Sequence, residues 1–167
     1  MAIPQQLPIA VRRPNAPLAI VWIVLEQRDR RGAPMVINPT LAYIESQIRA
    51  AFGDEWQSFR VIEARDVPTD RTFRDAWRDR DGVIEVDLPA AKALHRTAID
   101  RRAAARIEAL ERQVVTALVT GAPASRMALL RDRRLALLAA RDDARIDAAA
   151  SVDELAAIDP LASIADD

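Results

Sequence analysis

The side chains best suited to chemistry are few and scattered in this chain. There is no cysteine and His95 is the only histidine. Disulfides, thiolate zinc sites, iron–sulfur clusters and cysteine nucleophiles are therefore excluded, and an imidazole-based metal site or triad lacks a second ring. A general base at His95 would need a nucleophile or an orienting carboxylate beside it; next to Arg96 it reads as a surface or hinge histidine. Asp142-Asp143 and Asp166-Asp167 are adjacent acidic pairs, but neighbours on a helix point about 100° apart and cannot face one metal together. No glycine-rich phosphate loop, G-x-S-x-G elbow, H-E-x-x-H or EF-hand pattern occurs. Arg131-Asp132-Arg133-Arg134 is a weak candidate for binding an anion. The residues predict no catalytic site, no cofactor and no metal.

The elements that would position any site are easier to read. A chain of 167 residues holds one ordinary domain or two small ones. Acids and bases nearly cancel, 25 against 24, so no net field draws the chain to nucleic acid or to an anionic membrane. Lys92 is the single lysine and every other base is arginine. The aromatic residues are Trp22, Tyr43, Phe52, Trp56, Phe59, Phe73 and Trp77, all in the first half. The longest apolar run, Pro17 to Leu25, is far short of the roughly 20 residues of a spanning helix. The start of the chain lacks the basic n-region of a signal peptide. A soluble protein made in the cytoplasm is expected.

Residues 1–17 carry Pro4, Pro8, Pro14 and Pro17, which predicts an extended arm outside any sheet, because proline donates no ladder hydrogen bond. The run from Leu18 to Leu25 reads as a buried strand. A turn at Gly32 and a second short strand over 35–37 complete a hairpin. Asn38 as N-cap and Pro39 at the first helical position open a helix whose stripe is Leu41, Ile44, Ile48 and Phe52, closed by Gly53. Strands are expected over 57–65 and 82–88. Between them, Thr69 would cap a short helix over 70–78 that sets Phe73 and Trp77 one turn apart. The interleaved charges from Arg71 to Asp81 read as a solvated face. Residues 18–88 thus form a small α+β unit.

From Pro89 the texture is helical to Gly121, with Ile99, Ala103, Ile107, Leu110, Val114 and Leu118 as one stripe. A second helix from Pro123 toward Ala150 carries Met127, Leu130, Leu135, Leu138 and Ile146. The short link makes the two antiparallel. Ser151 to Glu154 is a capping box for a short third helix ending at Asp159-Pro160, and residues 161–167 are expected to be loose. The chain is therefore α+β in class, mostly α by residue count: an N-terminal mixed unit followed by a coiled-coil-like helical hairpin over 89–160. The stripe from Ile99 to Leu118, with Met127, Leu130 and Leu138, is the expected hairpin or oligomer seam.

The stretch Asp66-Val67-Pro68-Thr69-Asp70-Arg71-Thr72-Phe73-Arg74-Asp75-Ala76-Trp77, followed by a strand ending in Val86-Asp87 and an alanine- and arginine-rich helix, resembles small proteins encoded among the tail genes of tailed bacteriophages. Their signature is D-x-P-x-D-R-x-F-R-x-A-W, matched here by Pro68, Asp70, Arg71, Phe73, Arg74 and Trp77, with Asp87 closing the next strand. The likeness spans roughly residues 18–160, including the segment from Ser151 to Pro160. The helical end is similar, more faintly, to phage tail-fibre assembly proteins. The resemblance implies a non-enzymatic structural protein of the virion tail or baseplate, present in the host cytoplasm during assembly. Its partners would be other tail or fibre proteins and further copies of itself, a three-fold bundle being one arrangement. A tail-fibre chaperone that leaves the particle is the alternative. A DNA-binding regulator is less consistent with the balanced charge, and neither nucleic acid nor membrane is an expected partner.

Overall fold

The computed structural model describes residues 6–28, 34–36 and 38–165, the side chains of 26–28 and 34–36 excepted. The fold is α+β and mostly helical. It divides into two compact units, Met1–Asp87 and Leu88–Asp167.

In the first unit, β1 (Gln6–Arg12), β2 (Ala19–Val24) and β5 (Ser58–Val61) make an antiparallel sheet of order β2-β1-β5. Residues 6–12 of the expected arm are therefore its central strand. The Pro8 carbonyl accepts from the Ile62 N–H at 3.1 Å. A strand residue turns its nitrogen and its carbonyl to the same side, so the missing Pro8 donor falls one pair beyond Val61, where the ladder to β5 ends. Proline here terminates pairing on one side without excluding the strand. Asn15, with φ of 55°, helps turn the chain from β1 into β2, since asparagine tolerates the left-handed region. Pro4 lies outside the described residues.

The two faces of β1 build two cores. Ile9 and Val11 pack with Ile23 of β2 and with Ile44 and Ile48 of α1 (Leu41–Phe52). Ala10, on the other face, packs with Ile62, Val67, Trp77 and Ile84. Helix α1 starts two residues later than expected, because Thr40 is the N-cap, its hydroxyl accepting from Tyr43 N–H at 3.3 Å. Leu41 of the expected stripe is exposed. Gly53, with φ of 62°, ends the helix. Strands β3 (Glu26–Arg28) and β4 (Pro34–Val36) pair as a separate hairpin; the turn expected at Gly32, and Ile37, lie outside the described residues.

The helix expected over 70–78 does not form. Asp70 Oδ1 accepts from the Thr72 N–H at 2.8 Å in an Asx turn. One 3-10 turn follows over Arg74–Ala76, and the chain then enters β6 (Trp77–Arg80), paired with β7 (Val83–Val86). Asp81 and Gly82, both at positive φ, make the two-residue hairpin turn favoured by strand twist. The alternating charges follow a period of two. Arg78 and Arg80 pair across the hairpin with Asp87 at 2.6 Å and Glu85 at 3.0 Å, while Trp77 is buried and Asp79 is shielded beside Arg60. The expected strands over 57–65 and 82–88 shrink to β5 and β7, a 3-10 turn taking Ala64–Asp66.

In the second unit, α2 (Leu88–Val119) is 32 residues long, about 48 Å. Gly121, with φ of 68°, closes it: Ala122 N–H reaches Ala117 O at 2.8 Å and Gly121 N–H reaches Leu118 O at 3.3 Å, a Schellman cap. Helix α3 (Ala124–Arg141) returns antiparallel, as the pairs Asp100–Arg141 and Glu111–Arg134 require. The expected second helix breaks at Asp142-Asp143, because Asp143 accepts from the Arg145 N–H and caps α4 (Ala144–Ala148). Ser151 and Glu154 start α5 (Val152–Ala156), the glutamate reaching the Ala150 N–H at 2.7 Å.

The residues after α5 are not loose. Leu161 is 1% exposed and its carbonyl accepts from Arg106 at 2.9 Å. Partners along α2 rise in step with this returning segment: Lys92 on the Asp147 carbonyl, Arg102 on Asp159, Arg106 on Leu161 and Ile164. Helix α2 is thereby met by α4, α5 and the C-terminal turn from Lys92 to Arg106, and by α3 from Asp100 onward.

Candidate functional site

In the first unit the signature residues split into two sets. Phe73, Ala76 and Trp77 are buried, and Ala76 fixes the segment by taking the Asp87 N–H on its carbonyl at 2.9 Å. Pro68 is half-buried, whereas Asp70, Arg71 and Arg74 are exposed. The hydrogen bonds from Thr72 hold the Asp70 carboxyl below its ordinary range. Asp87 is spent on Arg78.

Arg71, Arg74 and Trp77 line a cleft of about 270 Å³, together with Asp75, Val67 and residues of β2 and the connection leading into it, among them Arg13, Ile20 and Trp22. The Asx turn at Asp70 and the 3-10 turn after it bring the arginines to this wall. The Arg74 guanidinium pairs, among the described residues, with its neighbour Asp75 at 3.7 Å. Arg13 lies over the Phe52 ring at 4.8 Å, and one of its terminal nitrogens donates to the Pro17 carbonyl at 3.4 Å. Arg13 Nε and the Trp77 indole N–H are sealed from solvent and have no acceptor among the described residues. The lining is rich in N–H groups and poor in acceptors, and it fits a carboxylate or another oxyanion. Sequence reasoning missed Arg13 and Trp22, because the strand pairing that joins them to the signature is long-range.

Below the sheet, Asp79 and Arg60 form a two-pronged ion pair, at 2.7 and 3.1 Å. The Arg60 hydrogen bond holds the Asp79 carboxyl below the usual range, against the opposing effect of burial. Both groups are consumed by each other, so the pair organises the fold.

In the second unit the expected seam residues fall in three groups. Ile99, Ala103, Leu110 and Leu130 are buried within the chain. Ile107, Val114, Met127 and Leu138 are half-buried, and Leu137 is the fully buried leucine of that turn. Leu118 is 64% exposed and forms a face with Val115 and Val119 at spacings of three and four. The buried part of the stripe is closed off by this chain's own helices, so those residues form the hairpin seam.

The remaining candidates have structural partners. His95 Nε2 donates to the Ile158 carbonyl at 2.8 Å, tying α2 to the turn after α5. The arginines of the 131–134 cluster diverge: Arg131 meets Asp132, Arg133 the Ala165 carbonyl, and Arg134 Glu111. They do not converge on one anion. Asp143 caps α4, and its carboxyl is held below the ordinary range by Arg145. Asp166-Asp167 lie outside the described residues. Among the described residues no group of three acidic or imidazole side chains could hold a metal, and no helix is long and apolar enough to cross a membrane.

Set against family models, curated proteins and solved structures, the chain has no match.

Proposed function

We propose that this chain is a non-enzymatic structural protein of a tailed-phage tail or baseplate, acting through self-association and contacts with other tail proteins. The observation that carries the reading is the apolar face Val115, Leu118 and Val119, at 59, 64 and 82% exposure, on the last turns of a helix whose stripe through Ile99, Ala103 and Leu110 is already buried. Leu129 and Leu135 add exposed apolar surface on α3. Contiguous apolar surface left in water marks an interaction site. The phage-tail signature supports the setting, since its exposed arginines sit at a cleft where a partner could dock.

Mass spectrometry of purified virions tests the setting. Copies of the chain in particles that have been washed and banded support a virion subunit. Its absence from particles, combined with fibres that fail to assemble when its gene is deleted, would establish the chaperone alternative instead.

A further inference from the structure

We propose that the cleft beside β2 receives an extended acidic segment of a partner protein, which adds to the free edge of β2 and places a carboxylate among Arg13, Arg71 and Arg74. The inference goes beyond self-association through the helices and stands without it.

Two observations converge. The first is the edge. Residues of β1 that bond toward β5 are the even-numbered ones, as the acceptors Pro8 and Arg12 show. Their odd neighbours therefore face β2, and the register pairs odd with odd, Ile9 with Val21 and Val11 with Ala19. Leu18, Ile20 and Trp22 consequently turn their backbone groups outward. The Leu18 N–H is met by the Trp77 carbonyl at 3.4 Å. Those of Ile20 and Trp22 have no backbone partner among the described residues, an edge ready for one more strand. The second is charge. The cleft lining carries Arg13, Arg71 and Arg74 against Asp75 alone, and Arg71 has no carboxylate partner among the described residues. A strand along Ile20 and Trp22 sends every second side chain to the face that carries Trp22. An aspartate or glutamate there meets the arginines, and an apolar neighbour covers the Trp22 ring.

The test is an amide and indole NMR titration of the full chain with four probes. They are a capped heptapeptide alternating valine and aspartate, its asparagine counterpart, the aspartate peptide N-methylated at alternate residues, and inorganic phosphate. The aspartate peptide should shift the Ile20 and Trp22 amides and the Trp77 indole resonance saturably. The asparagine and N-methylated peptides should bind about tenfold more weakly. The double variant Arg71→Gln with Arg74→Gln, checked as folded by its unchanged remaining amide spectrum, should lose about tenfold for the aspartate peptide. Three results would overturn the proposal: no shift with the aspartate peptide at millimolar concentration, equal binding of the N-methylated peptide, or phosphate alone reproducing the whole response.

Discussion

Arg60 on β5 and Asp79 on β6 are joined by two parallel hydrogen bonds, and the same two side chains also hold the hairpin turn. Arg60 Nη2 donates to the Gly82 carbonyl at 2.7 Å, and Asp79 Oδ1 accepts from the Gly82 N–H at 3.3 Å. Arg12 of the central strand adds a bond to the Asp79 carbonyl at 3.1 Å. The sheet and the β6–β7 hairpin are thus clamped at a point where the Asp79 side chain is only 14% exposed.

Replacing Asp79 with asparagine leaves the shape but removes the charge that Arg60 was placed to meet. Asp79→Asn should lower the unfolding free energy of the first unit by about 2 kcal/mol, the usual worth of a charge-assisted pair with restricted solvent access. Urea denaturation followed by tryptophan fluorescence reads this directly, since all three tryptophans are in that unit.

The acid limb of stability should depend on the same residue. A carboxyl depressed in the folded state contributes fully above its unfolded pKa of about 4, and the contribution is lost as pH falls through the lower folded value. Asp79 is depressed by its Arg60 hydrogen bond, and Asp159 in the other unit by that of Arg102. Stability should therefore be flat from neutral pH down to about 5 and fall below about 4. In Asp79→Asn the loss of tryptophan signal on acidification should be shallower than in the parent chain. An identical acid profile would show that the clamp does not contribute.

Neighbouring leucines on α3 should behave differently. Leu137 is 1% exposed, so Leu137→Ala should cost about 3 kcal/mol through lost burial and a residual cavity. Leu138 is half-buried, and Leu138→Ala should cost about 1 kcal/mol. Thermal melts followed by circular dichroism at 222 nm measure both changes.

Much of this architecture was legible because helices announce themselves locally. The α2 cap at Gly121, the capping box at Ser151 and the stripe through Ile99, Ala103 and Leu110 all follow from spacing within one element. The errors arose where tertiary pairing overrides local preference. Pro8 argued against a strand, yet its missing donor lies past the end of a ladder. Phe73 and Trp77 stand at helical spacing, yet Asp70 turns the chain and the Arg78-Asp79-Arg80 alternation follows a strand. Asp81-Gly82, set between the alternating segment Trp77–Arg80 and the run Val83–Val86, is the local signal for that hairpin. The break at Asp143 rests on a local cap, its carboxylate on the Arg145 N–H, whereas the packing of Leu161 depends on a contact with distant Arg106. The cleft joins Arg13 and Trp22 to Arg71 and Arg74, residues about fifty to sixty positions apart, and strand pairing of that range leaves no local pattern.

Self-association through the end of the helical hairpin is the central claim, and light scattering on the purified chain tests it most directly. The monomer mass is 18.5 kDa. The parent chain should show a multiple of that mass, and the double variant Leu118→Asp with Val119→Asp, at positions already facing water, should return to the monomer value with its helical circular dichroism retained. A parent chain that stays at 18.5 kDa as its concentration is raised, or a double variant of undiminished mass, would contradict the claim.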